Sequence, residues 1–423
     1  MILSLLLLLC QASSLQRAAQ PSREIQATTS VAPRNVLIII LDDVAAADLA
    51  EVRALHGTPN IDALAVNGLT FTEACASATC SPSRRSLCFG RYFTEATGGT
   101  CEAFADGTEP ALSEVSLGEA LSSHSSAILG KWHLGGDPTG GPMECAPVIQ
   151  GFDYWVAGYC GGDSYQDNWI RVDGCASSFS TEYEPIAVRD AFLAGWPATV
   201  GPKLGIFATL LAHGHFHTPP PELIPVGYPP VTFNKRVQFR AMIAAYDTII
   251  GQILQVVNLQ YTLVIVVGDN GTPQNFEPRA KTTCYERGIR VPLIMAGGPI
   301  VAGGRTCSEL VHLVDIPATA ADWAGQTGIP PSWDGASLLP TLLNQAHPQY
   351  HQTVICGSAT PSGGNCIRSL TRKLIDRDEA QGFADELYDL AADPTELVNV
   401  IANPAYSADL ADLRAQLNAF YAR

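Results

Sequence analysis

Residues 35–43 read NVLIIILDD, six consecutive apolar residues closing on two aspartates. A strand with one wet face alternates apolar and polar positions. An unbroken apolar run instead marks a strand buried on both faces, as in a parallel sheet covered by helices. LGIFATLLAH (204–213) and YTLVIVVGDN (261–270) repeat the pattern, one ending in His213 and the other in Asp269-Asn270. Helical stretches accompany them at 59–67 (PNIDALAVN), 113–122 and 234–257, the last with apolar residues at helical spacing. This alternation predicts an α/β fold, a large mixed and mostly parallel sheet sandwiched by helices. Ligands bind such sheets beyond the carboxyl ends of the strands. Three predicted strands deliver polar residues to that edge, which makes it the candidate site.

Past residue 345 the character changes. HQTVICGSA (351–359), CIRSLTRKLID (366–376) and DELYDL (385–390) are short strand-like stretches joined by turns, followed by a helix near 405–421. They predict a smaller antiparallel α+β subdomain over 345–423, leaving 34–344 as the main catalytic domain. The N-terminus, MILSLLLLLCQASSLQ, has an apolar stretch at 2–10 that is too short to span a bilayer but suits the core of a secretory signal. We read 1–14 as that signal and 15–33 as a polar leader, placing the mature protein outside the cell or in a periplasm. Lipidation at Cys10 is the alternative. No other stretch is long and apolar enough for a membrane span.

The 423 residues are 47% hydrophobic and 16% charged, which fits a globular chain with a large core. A net charge of −16 with no basic stripe excludes nucleic acid as a partner. It also makes any anionic substrate depend on a few local cations. Of 12 cysteines, losing Cys10 with a signal leaves an odd number in an oxidising compartment. One thiol then has another fate. If that one is Cys80, the other ten (Cys75, Cys88, Cys101, Cys145, Cys160, Cys175, Cys284, Cys307, Cys356 and Cys366) suffice for five disulfides. Cys356 and Cys366, which bracket a glycine-rich turn, are the simplest pair to draw.

Two adjacent carboxylates, Asp42 and Asp43, repel each other at a strand end unless something positive lies between them. Asp269 and Asn270 bring one more carboxylate and an amide oxygen to the same edge. Taken singly, each pair reads as a turn or helix cap. Together they are an all-oxygen donor set for a hard cation, Ca²⁺ with Mg²⁺ as the alternative, rather than zinc. Asn270-Gly271-Thr272 is also a glycosylation sequon, but a glycan on a metal ligand makes poor physical sense.

One further stretch, ATCSPSRRSLCFG (78–90), places Cys80 two residues before Pro82 and four before Arg84. This Cys-x-Pro-x-Arg core resembles the signature of the formylglycine-dependent sulfatases, within the alkaline phosphatase superfamily. The resemblance implies that a formylglycine-generating enzyme oxidises Cys80 to an aldehyde. One hydroxyl of its hydrate would attack sulfur, and the other would expel sulfate from the covalent intermediate. Downstream, Cys88 and Phe89 depart from the family pattern, while Gly90-Arg91-Tyr92 returns to it.

The rest of the chain extends the resemblance in order. GKWHLG (130–135) is similar to the segment whose lysine contacts sulfate and whose histidine supports the nucleophile, here Lys131 and His133. In LAHGHFHTPP (211–220) three histidines alternate, which alone would suggest a transition-metal site. The family's pattern instead points to His217 as sulfate ligand and candidate proton donor, leaving His213 and His215 either to line the substrate cleft or to satisfy local backbone groups. Lys281 matches the lysine before the family's Glu-Gly-Gly-x-Arg-x-Pro run, in which Arg287 replaces the first glycine. The resemblance thus implies catalytic roles for Cys80, Arg84, Lys131, His133, His217 and Lys281. It implies cation ligation by Asp42, Asp43, residue 80, Asp269 and Asn270, with Asp269 also able to take the proton of the attacking hydroxyl.

The implied activity is hydrolysis of an organic sulfate ester, on a sulfated small molecule or glycan. Two other readings compete. A phosphodiesterase or phosphonate monoester hydrolase of the same superfamily would use the same sheet edge, and a catalytically silent protein would bind sulfated glycans without cleaving them. Specificity is expected in loops 98–106, 143–174 and 216–234, with Trp155, Tyr159, Tyr165 and Trp169 as candidate stacking residues.

Overall fold

The computed structural model describes residues 34–92, 111–135, 145–156, 165, 169–173, 176–300, 302–358, 363–377 and 382–423. The signal and leader, Cys10, Cys101, Cys160, Cys175, Tyr159 and loop 98–106 lie outside the described residues, as do the side chains of Trp155 and Trp169.

Ten strands form the main sheet: β1 (Asn35–Leu41), β2 (Gly68–Cys75), β3 (Ser125–Gly130), β4 (Tyr154–Val156), β5 (Trp169–Asp173), β6 (Ala176–Ser180), β7 (Lys203–Ala208), β8 (Thr262–Gly268), β9 (Leu293–Gly297) and β10 (Arg305–His312). Their order is β10-β2-β9-β8-β1-β7-β3-β4-β5-β6. The run β8-β1-β7-β3-β4 is parallel throughout, and β9, β5 and β6 pair antiparallel with their neighbours. The strand read first from the sequence is therefore central, and it is buried along its whole length. Alternate residues divide between two cores. Val36, Ile38 and Ile40 pack with Leu87 and Ile316, whereas Leu37, Ile39 and Leu41 pack with Phe239, Met242 and Tyr246 of helix Lys235–Leu254. Each such buried side chain contributes about 1.5–3 kcal/mol relative to exposure, and both faces of the strand are used.

A second sheet, β11 (Val354–Gly357), β12 (Asn365–Arg368), β13 (Arg372–Asp376) and β14 (Glu386–Asp389), is antiparallel throughout and is covered by helix Ser407–Tyr421. Cys356 and Cys366 face each other across β11 and β12, and both are free thiols, as are Cys75 and Cys284. Cys145 is disulfide-bonded. Among the described residues, no helix is long and apolar enough to cross a membrane.

Helix Pro59–Val66 starts without a side-chain cap from Thr58, its own N-cap residue. Asp247, from helix Lys235–Leu254, supplies the missing acceptor: its carboxylate takes the N–H groups of Asn60 (3.1 Å) and Ile61 (2.8 Å). Replacing Asp247 by Ala is expected to orphan both donors and cost about 1–3 kcal/mol of stability. Denaturant unfolding checks this, and kcat should be unchanged, since Asp247 lies outside the candidate site.

Candidate active site

The edge where β1, β3, β7 and β8 end collects the chemistry. β1 runs into Asp42, whose N–H donates to Tyr246 Oη (3.0 Å), and that hydroxyl in turn donates to Thr209 O (2.9 Å) after β7. Asp43 follows with φ 60°, a conformation that non-glycine residues hold only when their surroundings impose it. Here the Asp43 N–H is fixed by Asp269 Oδ1 at 3.2 Å. β8 delivers Asp269 and Asn270, both fully buried, and Asn270 Nδ2 donates to Asp43 Oδ1 at 2.8 Å.

Cys80 is the first residue of helix Cys80–Phe89. Pro82 falls in the first turn, where a missing N–H costs no helical hydrogen bond. Cys80 thus lies where the helix dipole favours negative charge, with its sulfur 3.9 Å from Asp42 Oδ1. One turn on, Arg84 spans the site: Nε donates to Asp269 Oδ2 (3.0 Å), Nη2 to Asp42 Oδ2 (3.2 Å) and Nη1 to Lys131 O (2.6 Å). Lys131 arrives at the end of β3 because Gly130, at φ 109°, lets the chain pass Ala208; a Cβ there would sit 2.1 Å from Ala208 O. Its ammonium donates to Asp42 Oδ2 at 2.8 Å, and Lys281 Nζ donates to Asp43 Oδ1 at 2.6 Å.

Three buried carboxylates are thus balanced by three cations. Burial alone would raise the Asp42 carboxyl, yet Lys131 and Arg84 outweigh it and hold the group well below the usual range. Asp269 goes the other way: burial, with the charges of Asp42 and Cys80, pushes it up to about 8. Burial would also raise the Cys80 thiol, but Lys131 and Lys281 bring it well below its ordinary value. His133 hydrogen-bonds that thiol, and burial beside Lys131 lowers its pKa to about 4, so the ring is neutral at pH 7.

The donor chemistry fits a hard cation. Asp42, Asp43, Cys80 and His213 present ligand atoms within 4.8 Å of one another. Beside them Asn270 Oδ1 is buried with no hydrogen-bond partner among the described residues, which is how an unsatisfied ligand oxygen looks. Of the predicted set, Asp42, Asp43 and residue 80 thus lie together with His213, and Asp269 and Asn270 adjoin them through hydrogen bonds with Asp43.

The three histidines of 211–220 have different surroundings. His213 Nε2 lies 4.0 Å from Asp43 Oδ2. His217 has both ring nitrogens engaged, Nδ1 donating to His215 O (2.9 Å) and Nε2 accepting from Tyr183 Oη (2.9 Å), and Tyr165 packs on it at 4.4 Å. Ala212 (φ 67°) and His215 (φ 68°) are both left-handed, so the loop turns and the alternating histidines part company. Arg287, which replaces the family's first glycine, faces Asp48 at 3.7 Å.

Comparison with known proteins identifies the family. The family model described as Sulfatase matches residues 34–326, and that described as N-sulphoglucosamine sulphohydrolase, C-terminal, matches 276–423. Arylsulfatase G of Mus musculus is 27% identical over 381 residues, covering 74% of this chain and 69% of that protein. Among solved structures, Ps i-CgsB in complex with k-i-k-neocarrahexaose superposes with a TM-score of 0.78 at 20% identity, over 92% of this chain and 93% of the other. The phosphonate monoester hydrolase SpPMH from Silicibacter pomeroyi shares the fold at TM-score 0.68 and 19% identity, over 92% and 95% of the two chains. At such identities the two structures speak to the fold alone. The match across 34–326, which holds Asp42, Cys80, Lys131 and Lys281 in one domain, carries the assignment: the chain belongs to the sulfatase family.

Proposed function

We propose that this sulfatase cleaves the sulfate ester of an exported carbohydrate substrate, with a formylglycine made from Cys80 as nucleophile and a calcium ion held by Asp42, Asp43, Asp269 and Asn270. The observation that carries the reading is the placement of Arg84, Lys131 and Lys281 around Cys80 in a buried pocket. The Cys80 sulfur stands in for the paired hydroxyls of the hydrated aldehyde. Such a group supplies a nucleophile with a built-in means of releasing sulfate, and the cation supplies charge stabilisation on sulfate oxygens.

The remaining work falls to the chain's own side chains. Lys131 and Lys281 are held protonated by their aspartates, which outweigh the effect of burial. They face the position where charge builds on the sulfate oxygens during attack. Preorganised charge in a dry pocket is usually the largest catalytic contribution. His133, neutral and hydrogen-bonded to residue 80, is placed to accept a proton from a hydroxyl at that position. His213, whose ring faces Asp43, is the better placed proton donor to the departing alcohol. His217 has no nitrogen to spare, and we assign it to holding the loop. His213→Ala is expected to lower kcat/KM about a hundredfold, and His217→Ala roughly tenfold or less. The reverse ranking in steady-state kinetics would return the acid role to His217.

The test is product analysis on a sulfated oligosaccharide, an aryl sulfate and an aryl phosphonate. Sulfate release from the oligosaccharide is expected to dominate. A kcat/KM highest on the phosphonate would favour the phosphonate hydrolase reading, and binding of sulfated sugar without sulfate release the silent one. Mass spectrometry of tryptic peptide 54–84, with Cys75 as internal control, reports directly whether residue 80 has exchanged sulfur for an aldehyde oxygen.

A further inference from the structure

Four cysteines away from the pocket lie in a row between the two sheets: Cys75 at the end of β2, Cys356 on β11, Cys366 on β12 and Cys284 just before helix Glu286–Ile289. All four are fully buried and belong to one apolar cluster with Ile289, Leu310 and Tyr388. Cys284 Sγ lies 3.5 Å from Cys356 O and 3.3 Å from Gly364 O, and the Cys356 thiol interacts with Cys75 and Cys366 as the Cys366 thiol does with Cys284, which orders them Cys75, Cys356, Cys366, Cys284. In a row of four sulfurs, either the middle two join or each outer one joins its neighbour.

The ladder decides between these. Ser358 N–H donates to Gly364 O at 3.0 Å. Counting back two residues on each strand makes Cys356 and Cys366 a hydrogen-bonded pair in the register of β11 and β12. Opposed residues of that kind hold their Cβ atoms about 5–5.5 Å apart, whereas a disulfide needs about 3.8 Å. The middle bond would have to pull the ladder together, and it would strand two buried thiols. The outer bonds use all four.

We infer that the mature protein carries two disulfides, Cys75–Cys356 and Cys284–Cys366, that staple the small sheet to the active-site edge of the large one. Each forms by exchange with a small-molecule or protein disulfide before the sheets close. A first thiolate attacks the oxidant, giving a mixed disulfide and releasing one thiol. The second thiolate then displaces the oxidant's other thiol. Two protons leave the cysteines, and two electrons pass to the oxidant disulfide.

The staples bear on the catalytic machinery through its two supporting segments. Cys75 lies five residues before Cys80, and Cys284 three after Lys281. Between them Thr282 N–H donates to Ala78 O (2.7 Å), Ala78 N–H to Gly357 O (2.8 Å) and Ser358 Oγ to Thr282 O (2.6 Å). The segment leading to the nucleophile and the segment carrying Lys281 are thus both moored on the small sheet. Pairing also engages Cys75, the thiol nearest Cys80 on its N-terminal side, so Cys80 keeps its sulfur for modification in an oxidising compartment.

Full-length protein secreted from an oxidising compartment is denatured in an alkylating agent without reductant, digested, and mapped by tandem mass spectrometry with fragmentation between Cys356 and Cys366. The expected result is a Cys75–Cys356 link and a Cys284–Cys366 link, with a midpoint of thermal unfolding roughly 5 °C lower after reduction. A Cys356–Cys366 link, or alkylation of all four cysteines without prior reduction, overturns the inference. Neither result depends on the enzyme's substrate or on the state of Cys80.

Discussion

Cys80→Ser is expected to abolish turnover while leaving one round of chemistry intact. Exchanging sulfur for oxygen keeps the side chain's size, so Arg84, Lys131 and His133 should stay where they are. The serine hydroxyl faces the same cations and the neutral His133 ring, and it can attack sulfur once. It has no second hydroxyl on the same carbon. Release of sulfate then waits for water, in a pocket whose nucleophilic position is 3% exposed. Steady-state activity should fall on the order of 10⁴-fold or more, the scale of loss seen when a catalytic nucleophile is removed. Intact-protein mass spectrometry after incubation with an aryl sulfate should show one added sulfo group, with one equivalent of alcohol released in a burst. Cys80→Ala should show neither. Serine-variant turnover near the wild-type rate would mean that the reaction does not need the second hydroxyl, and the proposed role of Cys80 would fall.

The sequence was most informative where burial is most complete. β1, β7 and β8 announce themselves as unbroken apolar runs because both faces of a central parallel strand are covered, and their polar ends point directly at the site. Helix Lys235–Leu254 was legible for a related reason: its apolar stripe lies on the sheet, and Asn234 caps it by accepting from Arg236 and Val237 N–H. The stretch at 113–122 was less so. Only Leu117–Ala120 is helical, since a capping box between Ser116 and Glu119 sets the start there and Leu121 already leaves the helix. The outer strands β5 and β6 went unread because short segments such as ASSFS, small or polar but for one phenylalanine, carry little hydrophobic pattern.

At the site, adjacency in sequence found the acids, and motif order found the cations. Among His213, His215 and His217 the sequence pattern favours His217; the turn that separates their rings comes from two left-handed residues, a backbone property that no side-chain pattern reports. Disulfide pairing was hidden for a similar reason. Closeness along the chain favoured Cys356 with Cys366, whereas strand register sets which sulfurs have room to join.

Removing the cation is expected to silence the enzyme, and the pH dependence of rebinding should identify the ligands. Without a cation the site holds three buried carboxylates, with Asp42 and Asp269 bridged by Arg84 and Asp43 hydrogen-bonded through its N–H to Asp269. Lys131 and Arg84 keep Asp42 ionised, but burial and the neighbouring charges push Asp269 up to about 8. Asp43 is raised too, by burial that Lys281 only partly offsets. Below about pH 8, then, the empty site binds a proton on Asp269 that an incoming Ca²⁺ must displace. The sign follows: affinity falls as pH falls, by about tenfold per pH unit for each proton displaced, and levels off above pH 8. Converting Cys80 to an aldehyde removes one contributing charge, yet burial and Asp42, the two larger causes, remain. Dialysis against a chelator should lower kcat on the order of 10³-fold, the several kcal/mol that Lewis-acid stabilisation supplies. Calcium should restore it, whereas zinc, left with His213 as its one soft donor once Cys80 is converted, should do so poorly. Isothermal titration between pH 6 and 9 measures both the affinity and the protons released. Asp269→Asn should weaken binding and flatten its pH dependence, because the group that holds the competing proton is gone. Full activity after chelation, with no calcium heat at any pH, would show that the buried acids serve only to position Arg84, Lys131 and Lys281.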